Sequence, residues 1–216
     1  MTAGDLPLIL CYITDRHGFA GDESQRQTRL LEKIGEAVRA GVDYIQIREK
    51  DLSGRQLETL ARAAVALAAG SSSRILINSR TDVAIACGAD GVHLRSRDLS
   101  PGEVRAIWSR SERAPFPPVV SVSCHSAMEV ADAALAADFA LFGPVFEKKH
   151  EPRGLQAGLD ALHTASQQAV PTLALGGVNL DNAASCREAG AAGVAAIRLF
   201  QQREVAPVVS FLRQLP

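Results

Sequence analysis

Cysteine is scarce in this sequence, and its spacing excludes several kinds of small domain. The 216 residues include four cysteines, and none of them forms a Cys-x-x-Cys pair. Thiols so far apart argue against a disulfide framework, a zinc site or a redox dithiol. We therefore expect reduced thiols and a cytoplasmic protein. The four positions are Cys11, Cys87, Cys124 and Cys186.

The chain also lacks an excess of charge of either sign. It carries 23 Lys and Arg against 24 Asp and Glu, a formal net charge of -1. A nucleic-acid-binding or electrostatic membrane-binding surface normally needs a strong basic bias, so we expect neither kind of partner. The apolar run from Leu6 to Ile13 is too short to cross a membrane and has no preceding basic region of a signal peptide. We interpret it as a first buried strand.

Aromatic residues are few, at 5% of the chain, although 47% of the residues are hydrophobic. The core must therefore consist mainly of Ala, Val, Leu and Ile, which parallel sheets and barrels favour. Eight short apolar runs predict strands, at Leu8–Ile13, Tyr44–Ile47, Arg74–Asn78, Gly91–Leu94, Val119–Val122, Phe139–Phe142, Thr172–Leu175 and Gly193–Ile197.

Longer amphipathic runs separate these strands and predict eight helices. Strict alternation of strands and helices indicates a parallel sheet, and eight units in this length indicate an α/β fold with a closed (β/α)₈ TIM barrel. We expect one barrel domain over residues 1–216. The predicted helices are Ser24–Ala40, Gly54–Ala69, Arg80–Cys87, Pro101–Ser109, Ala127–Ala136, Leu159–Gln168, Leu180–Ala189 and Phe200–Leu212.

The second strand ends in Gln46-Ile47-Arg48-Glu49-Lys50. Ligands of such barrels usually bind at the carboxyl ends of the strands, so Arg48 and Lys50 are expected at the barrel mouth. Two cations so close together favour an anionic ligand such as a phosphate or diphosphate. The alternative is that these charges only solubilise a strand-to-helix loop.

Polar residues also follow the third and fourth strands, at Asn78 and Asp98. An acid beside cations suits a diphosphate bound to Mg²⁺, which usually takes one or two carboxylates together with phosphate oxygens and water. Asp98 is therefore our candidate metal ligand. Its alternative role is in the N-cap region of the fourth helix.

The seventh strand is followed by Gly176 and Gly177, with a helix expected from Asn179. Loops after strands 7 and 8 often form the phosphate site of these barrels, and glycine lets the backbone approach a phosphate closely. A plain Gly-Gly turn is the alternative.

Ser123 and His125 follow the fifth strand, and because they are two residues apart we expect both side chains on one side. His125 is a candidate general acid/base, or else a helix-start histidine with a local hydrogen bond. Cys124 points the other way, which argues against a Cys-His nucleophile pair. A charged segment, Glu147-Lys148-Lys149-His150-Glu151, is either a mobile lid over an anionic ligand or a solvated loop.

Together these motifs resemble the thiamine-phosphate synthase and thiazole tautomerase superfamily. The resemblance extends over nearly the whole chain, in family order. Its segments are Tyr12-Ile13-Thr14-Asp15, Gln46-Ile47-Arg48-Glu49-Lys50, Leu76-Ile77-Asn78-Ser79-Arg80-Thr81-Asp82-Val83-Ala84, Gly88-Ala89-Asp90-Gly91-Val92-His93-Leu94, Val122-Ser123-Cys124-His125-Ser126, Phe142-Gly143-Pro144-Val145-Phe146 and Leu175-Gly176-Gly177-Val178.

The resemblance implies that a hydroxymethylpyrimidine diphosphate is joined to a thiazole phosphate, with release of diphosphate. It implies that Asp98 binds Mg²⁺ and that Ser123 lies near the reacting pyrimidine. Two further sets of residues match binding positions. Gln46, Arg48, Lys50 and Asn78 match the pyrimidine diphosphate site, and Gly176, Gly177 and the strand 8 backbone at Ala196 and Ile197 match the thiazole phosphate site.

Three departures from the synthase pattern leave alternatives open. The synthases usually have Asn-Asp where this chain has Asn78-Ser79, and a threonine-containing loop where it has residues 147–151. Lys148 or Lys149 would then supply diphosphate contacts. Arg198 stands where a small residue is common.

The first alternative is the thiazole tautomerase branch. The resemblance implies that this branch needs neither Mg²⁺ nor diphosphate and uses a histidine at the place of His125. A catalytically silent barrel that binds thiazole phosphate as a regulator is the second. The sequence leaves the oligomeric state open, including a homo-oligomer.

Overall fold

Eight parallel strands, β1 to β8, close into a barrel in which each strand pairs with its neighbours in chain order and β8 pairs with β1. The computed structural model describes residues 7–95, 98–111, 117–146 and 158–215. Within these ranges no helix combines the length and the apolar character that a membrane span requires. The strands are Ile9–Ile13, Tyr44–Ile47, Arg74–Asn78, Gly91–Leu94, Val119–Cys124, Phe139–Phe142, Thr172–Leu175 and Gly193–Ala196.

Helices follow the strands on the outside of the barrel, so the predicted TIM-barrel fold is confirmed. Among the described residues, three helices begin with a capping box, in which a side chain and the backbone bond reciprocally at the helix start. The helices α1 to α9 are Glu23–Ala40, Gly54–Ala68, Thr81–Cys87, Pro101–Ser109, Ala127–Ala133, Gly158–Ser166, Ala183–Glu188, Arg198–Gln201 and Val205–Arg213.

Two helix predictions are wrong. The helix expected over Phe200–Leu212 is divided into α8 and α9, because the intervening loop is attached to α1: Lys33 donates to the Arg203 carbonyl, and the Val205 N–H donates to Glu36. The helix expected from Asn179 begins only at Ala183, because the Asn179 side chain accepts from the backbone of a preceding turn.

Alternate side chains of each strand point into the barrel, and their packing shows that the interior is filled. The rings of Tyr44 and Phe139, from strands on opposite sides of the barrel, lie 4.6 Å apart. A layered interior of this kind is usual in (β/α)₈ barrels. The interior cluster comprises Cys11, Ile13, Leu76, Phe139, Leu141, Leu173 and Ala195.

The same alternation determines which polar side chains face inward near the mouth. Gln46 lies two residues beyond Tyr44, and Asn78 lies two beyond Leu76, so both share the inward side. Register pairs Asn78 with His93 and His93 with Ser121. A row of polar residues therefore crosses three neighbouring strands above the apolar interior.

Candidate active site

Three of the predicted site residues, Arg48, Asp98 and Ser123, act on His93, to which the sequence assigns no role. Its imidazole lies 2.8 Å from the Ser123 hydroxyl. Burial lowers the pKa of His93 to about 3, with Asp98 raising it and Arg48 lowering it further. Both charged groups therefore act on the ring, so the ends of β2, β4 and β5 form one polar cluster.

Arg48 is held by hydrogen bonds between the ends of β1 and β2. Its backbone N–H donates to the Thr14 hydroxyl at 2.9 Å, and that hydroxyl donates to Glu49 at 2.6 Å. Glu49 is buried and also accepts from the Arg16 guanidinium at 3.0 Å. These bonds fix the backbone from which the Arg48 side chain projects.

The guanidinium of Arg48 is the part left for a ligand. Within the described ranges, no carboxylate pairs with it, whereas Arg16 has three acidic partners, Glu23, Glu49 and Asp51. The bond with Arg16 lowers the pKa of Asp51, which keeps that carboxyl ionised. The neighbouring Lys50 is exposed. Arg48 thus offers a half-buried positive charge to an anion.

Gln46 offers an unpaired donor inside the barrel. The side chain is 1% exposed, and its Nε2 has no hydrogen-bond partner among the described residues. A buried amide that loses its hydrogen bonds costs about 1–3 kcal/mol. A ligand acceptor placed at this amide would remove that cost, so Gln46 has the properties of a ligand-binding residue.

Asn78, Ser79 and Asp98 form the candidate metal site. Asn78 Nδ2 donates to the Ser79 hydroxyl at 3.1 Å, and Ser79 has a φ of 62°, a left-handed conformation that is unusual for serine. The Ser79 side chain also hydrogen-bonds to Asp98, so a hydroxyl stands beside that carboxylate where the synthase pattern has a second carboxylate.

Asp98 is already engaged in hydrogen bonds. It accepts from the Arg95 backbone at 2.8 Å and from the Arg95 guanidinium at 3.1 Å. Burial alone would raise the pKa of Asp98, but hydrogen bonds from Ser79 and Arg95 lower it overall. In the described part of the chain, no three His, Cys, Asp or Glu side chains group as metal ligands. Asp98 is thus an ionised single carboxylate.

His125 bonds away from the centre of the cluster. Its Nδ1 lies 2.6 Å from the Gly143 carbonyl, which only accepts, so Nδ1 carries a proton. The ring is exposed, and Nε2 is left as the nitrogen able to exchange a proton with a ligand. Cys124 is 2% exposed, and burial raises the pKa of its thiol to about 12, which makes it a poor nucleophile.

Gly176 and Gly177 are required by the fold itself. Their φ angles are 92° and 69°, and a Cβ on either would lie 2.7 Å from the backbone or side chain of the loop after β6, at Pro144 and Phe146. The Val145 N–H donates to the Leu175 carbonyl at 2.8 Å, which joins the two loops. The glycines therefore bring the loops after β6 and β7 into direct contact.

The remaining predicted site residues fall in two groups. Ala196 ends β8, and Ile197 directly follows it, beside the end of β7. Lys148 and Lys149, with the rest of the predicted lid 147–151, lie outside the described residues. The structure thus brings Arg48, Asp98 and Ser123 around His93, whereas the glycines follow a different strand, β7.

Comparison with known proteins agrees with this architecture. The family model described as thiamine monophosphate synthase matches residues 10–200. The chain belongs to the thiamine monophosphate synthase family. The resemblance stated from the motifs is thereby confirmed.

Individual relatives extend over nearly the whole chain. A thiamine-phosphate synthase of Chlorobium luteolum is 32% identical over 199 residues, which cover 91% of this chain and 86% of the relative. One from Roseiflexus is 35% identical over 191 residues, 88% and 76% of the two chains. The solved thiamine phosphate pyrophosphorylase of Pyrococcus furiosus aligns with a TM-score of 0.78 at 27% identity, covering 96% of this chain and 95% of that one.

Sequence reasoning missed two parts of the site. It gave no role to His93, although a histidine at an inward position beside Ser121 and Ser123 on the next strand is a detectable signal. It also treated Glu49 as part of a charged motif, although Glu49 is buried and paired with Arg16. Nothing in the spacing of Arg16 and Glu49, 33 residues apart, indicates that contact.

Proposed function

We propose that this chain is a thiamine-phosphate synthase, which couples hydroxymethylpyrimidine diphosphate with thiazole phosphate to give thiamine phosphate and diphosphate. We place the reaction in the single barrel domain predicted for residues 1–216 and in the cytoplasm. Family membership supports this proposal, and so does the cluster around His93. The observation that carries it is the half-buried Arg48 guanidinium, which has no acidic partner among the described residues and lies close enough to His93 to lower the pKa of that ring.

The reaction breaks one bond and forms another without transfer of a proton. The C–O bond to the diphosphate breaks, and both electrons leave with the diphosphate. The pyrimidine methyl cation that remains accepts the lone pair of the thiazole nitrogen. The main catalytic task is therefore to stabilise the negative charge of the leaving group.

We propose that Arg48 performs that task, assisted by Lys50 and Asn78. Gln46 would hold the pyrimidine through its unpaired amide donor, with Ser123 beside the reacting ring. Gly176, Gly177, Ala196 and Ile197 would receive the phosphate of the thiazole substrate through backbone N–H groups. Lys148 and Lys149 are proposed as further diphosphate contacts.

The donor set at Asp98 fits Mg²⁺, although with fewer charges than the family pattern. One ionised carboxylate together with substrate phosphate oxygens is a usual environment for this ion. Asp98 would hold the ion, and the Asn78 and Ser79 oxygens lie at the end of the adjacent strand. When bound, Mg²⁺ would neutralise part of the diphosphate charge.

The direct test is coupling of the two phosphorylated substrates by the purified protein with Mg²⁺, followed by chromatography for thiamine phosphate. We expect turnover that requires both substrates. His125→Ala should retain most of this activity, because the coupling needs no proton transfer. Absence of product, with both substrates shown to bind, would contradict the proposal.

A thiazole tautomerase is the second candidate, and one observation favours it. The bond between His125 Nδ1 and the Gly143 carbonyl leaves Nε2 of an exposed ring at the barrel mouth, as a proton shuttle requires. The test is exchange of a thiazole proton with deuterated solvent on a thiazole carboxylate phosphate. Exchange that disappears in His125→Ala, without coupling activity, would favour the tautomerase. Binding of thiazole phosphate with neither activity would favour the silent regulator.

A further inference from the structure

His93 lies between two serine hydroxyls in the barrel interior. Its Nδ1 is 2.9 Å from the Ser121 hydroxyl, and its Nε2 is 2.8 Å from the Ser123 hydroxyl. His93 is 3% exposed and Ser121 is 0% exposed, whereas Ser123 is only partly buried. The three side chains form a row that runs from the closed interior towards the mouth.

The direction of the hydrogen bonds along this row follows from the buried end. Among the described residues, His93 is the hydrogen-bond partner of the Ser121 side chain. A fully buried hydroxyl proton without an acceptor is costly, so Ser121 donates to Nδ1. A neutral imidazole has one donor and one acceptor nitrogen, so Nε2 then carries the proton.

The outer end of the row is determined in turn. Nε2–H donates to the Ser123 oxygen, and the Ser123 proton must therefore point away from His93. Burial lowers the pKa of His93, which agrees with this order of hydrogen bonds. Because Nδ1 accepts from Ser121, it carries no proton, and the ring in this arrangement is neutral.

We propose that His93 is a positioning residue that makes Ser123 a hydrogen-bond donor to the pyrimidine diphosphate substrate. Ser121 fixes the tautomer of His93, and His93 fixes the orientation of the Ser123 hydroxyl. This inference rests on the proposed function only for the identity of the ligand. The tautomer itself does not depend on it.

The tautomer is measured directly by NMR of protein labelled with ¹⁵N in histidine. The signal of His93 is assigned by its loss in His93→Gln. We expect a pyrrole-type shift for Nε2 and a pyridine-type shift for Nδ1. The same experiment on Ser121→Ala should show a mixture of tautomers. A protonated Nδ1 in the unaltered protein would overturn the proposal whether or not the protein makes thiamine phosphate.

The link to Ser123 is measured by a double-mutant cycle on the coupling reaction. His93→Leu should lower kcat about 2- to 10-fold, the usual effect of one neutral hydrogen bond, and leave KM for thiazole phosphate unchanged. In a Ser123→Ala background, the same substitution should have no further effect on kcat, because His93 acts only through that hydroxyl. Equal losses in both backgrounds would show a merely structural role.

Two more variants keep this test decisive. If His93→Leu does not fold, Ser121→Ala takes its place in the cycle, with a smaller expected loss. Thr172→Val is the matched control, because Thr172 is also a buried hydroxyl but bonds to the Val170 carbonyl, away from Ser123. Its effect should add to that of Ser123→Ala. An interaction energy with Ser123 as large for Thr172 as for His93 in the double-mutant cycle would contradict the positioning role of His93.

The substrate atom that Ser123 contacts is distinguished by binding of inorganic diphosphate. Weaker binding of inorganic diphosphate to Ser123→Ala would place the contact on the diphosphate. Unchanged binding, together with a raised KM for the pyrimidine diphosphate, would place it on the pyrimidine. If neither quantity changes, Ser123 is not a donor to this substrate and the proposal fails.

Discussion

The ends of β2 to β5 bring polar and charged side chains to the barrel mouth. Apart from Arg198, the residues named at the ends of β6 to β8 are glycines and apolar residues. We call the first the side-chain half, with Arg48, Asn78, Asp98 and Ser123, and the second the backbone half, with Gly176, Gly177, Ala196 and Ile197. In the side-chain half each proposed binding role belongs to a single side chain that can be substituted. In the backbone half each proposed binding role belongs to backbone N–H groups and depends on the conformation of the loop.

The difference accounts for one departure of this chain from the synthase pattern, Ser79. Ser79 replaces a carboxylate without altering the strand that carries it, so the side-chain half tolerates the exchange and changes only in charge. Gly177 has no such freedom, because its φ of 69° and its contact with Phe146 exclude a side chain. The backbone half should therefore respond to substitution through stability, and the side-chain half through activity.

The largest effect is expected for Gly177→Ala. Gly88→Ala is the matched control, because Gly88 has a similar φ of 73° but no atom within 4 Å of the added Cβ. The left-handed conformation should cost the control about 1–2 kcal/mol, and overpacking against Phe146 should cost Gly177→Ala about 1–3 kcal/mol more. Urea unfolding measures both. Equal free energies of unfolding for the two variants would show that the close contact between Gly177 and Phe146 does not restrict the side chain at position 177.

Arg48→Ala should be next, with an effect on activity rather than stability. Loss of a charged hydrogen bond of about 1.5–3 kcal/mol should raise KM for the pyrimidine diphosphate about 10- to 100-fold. KM for thiazole phosphate should stay within a factor of about two, because Arg48 belongs to the other half. Steady-state kinetics measures both constants, with Arg55→Ala, on the outer helix α2, as control. Equal changes in the two KM values would contradict the assignment of the two substrates to different halves of the barrel mouth.

Ser79→Asp should strengthen metal binding in the side-chain half. Asp tolerates the left-handed conformation and adds a charge beside Asp98, and one pair of unit charges at 4 Å contributes about 1 kcal/mol in water. Mn²⁺ binding with inorganic diphosphate, followed by electron paramagnetic resonance, should tighten at least about fivefold. Ser79→Asn is the uncharged control. Tightening in the control as well would attribute the effect to geometry, not charge.

The smallest effect is expected for Arg198→Ser, which tests whether the backbone half has gained a cation. Arg198 is exposed at the start of α8, next to the end of β8. An exposed ion pair contributes about 0.2–1 kcal/mol, so KM for thiazole phosphate should rise no more than about fivefold. Arg203→Ser is the control from the following loop. A larger rise for pyrimidine diphosphate would place Arg198 in the other half.

Much of the fold could be predicted because each strand and helix leaves a local signal. Residues Tyr44–Ile47, Arg74–Asn78 and Gly91–Leu94 are strands at the predicted positions, since apolar runs bounded by turns determine them locally. The break between α8 and α9 was missed because the contacts that cause it, from Lys33 and Glu36, lie about 170 residues away along the chain.

The candidate site divides in the same way. Residues at strand ends, such as Arg48 and Ser123, were identifiable because the barrel topology gathers all strand ends at one mouth. The bond of His125 to Gly143 and the link between Asp98 and Ser79 were not, because they depend on the distance between neighbouring loops. The loop 147–151, with Lys148 and Lys149, remains a prediction.

The sequence by itself determined the alternation of strands and helices, the closed barrel and the family, because hydrophobic periodicity and motif order are local properties of the chain. Only the tertiary structure decided which polar groups are paired and which are left for a ligand. Glu49 forms an ion pair with Arg16, whereas Arg48, one residue earlier, has no acidic partner among the described residues. The reason is that pairing depends on register and shear between strands, and these place residues 30 or more positions apart within hydrogen-bonding distance.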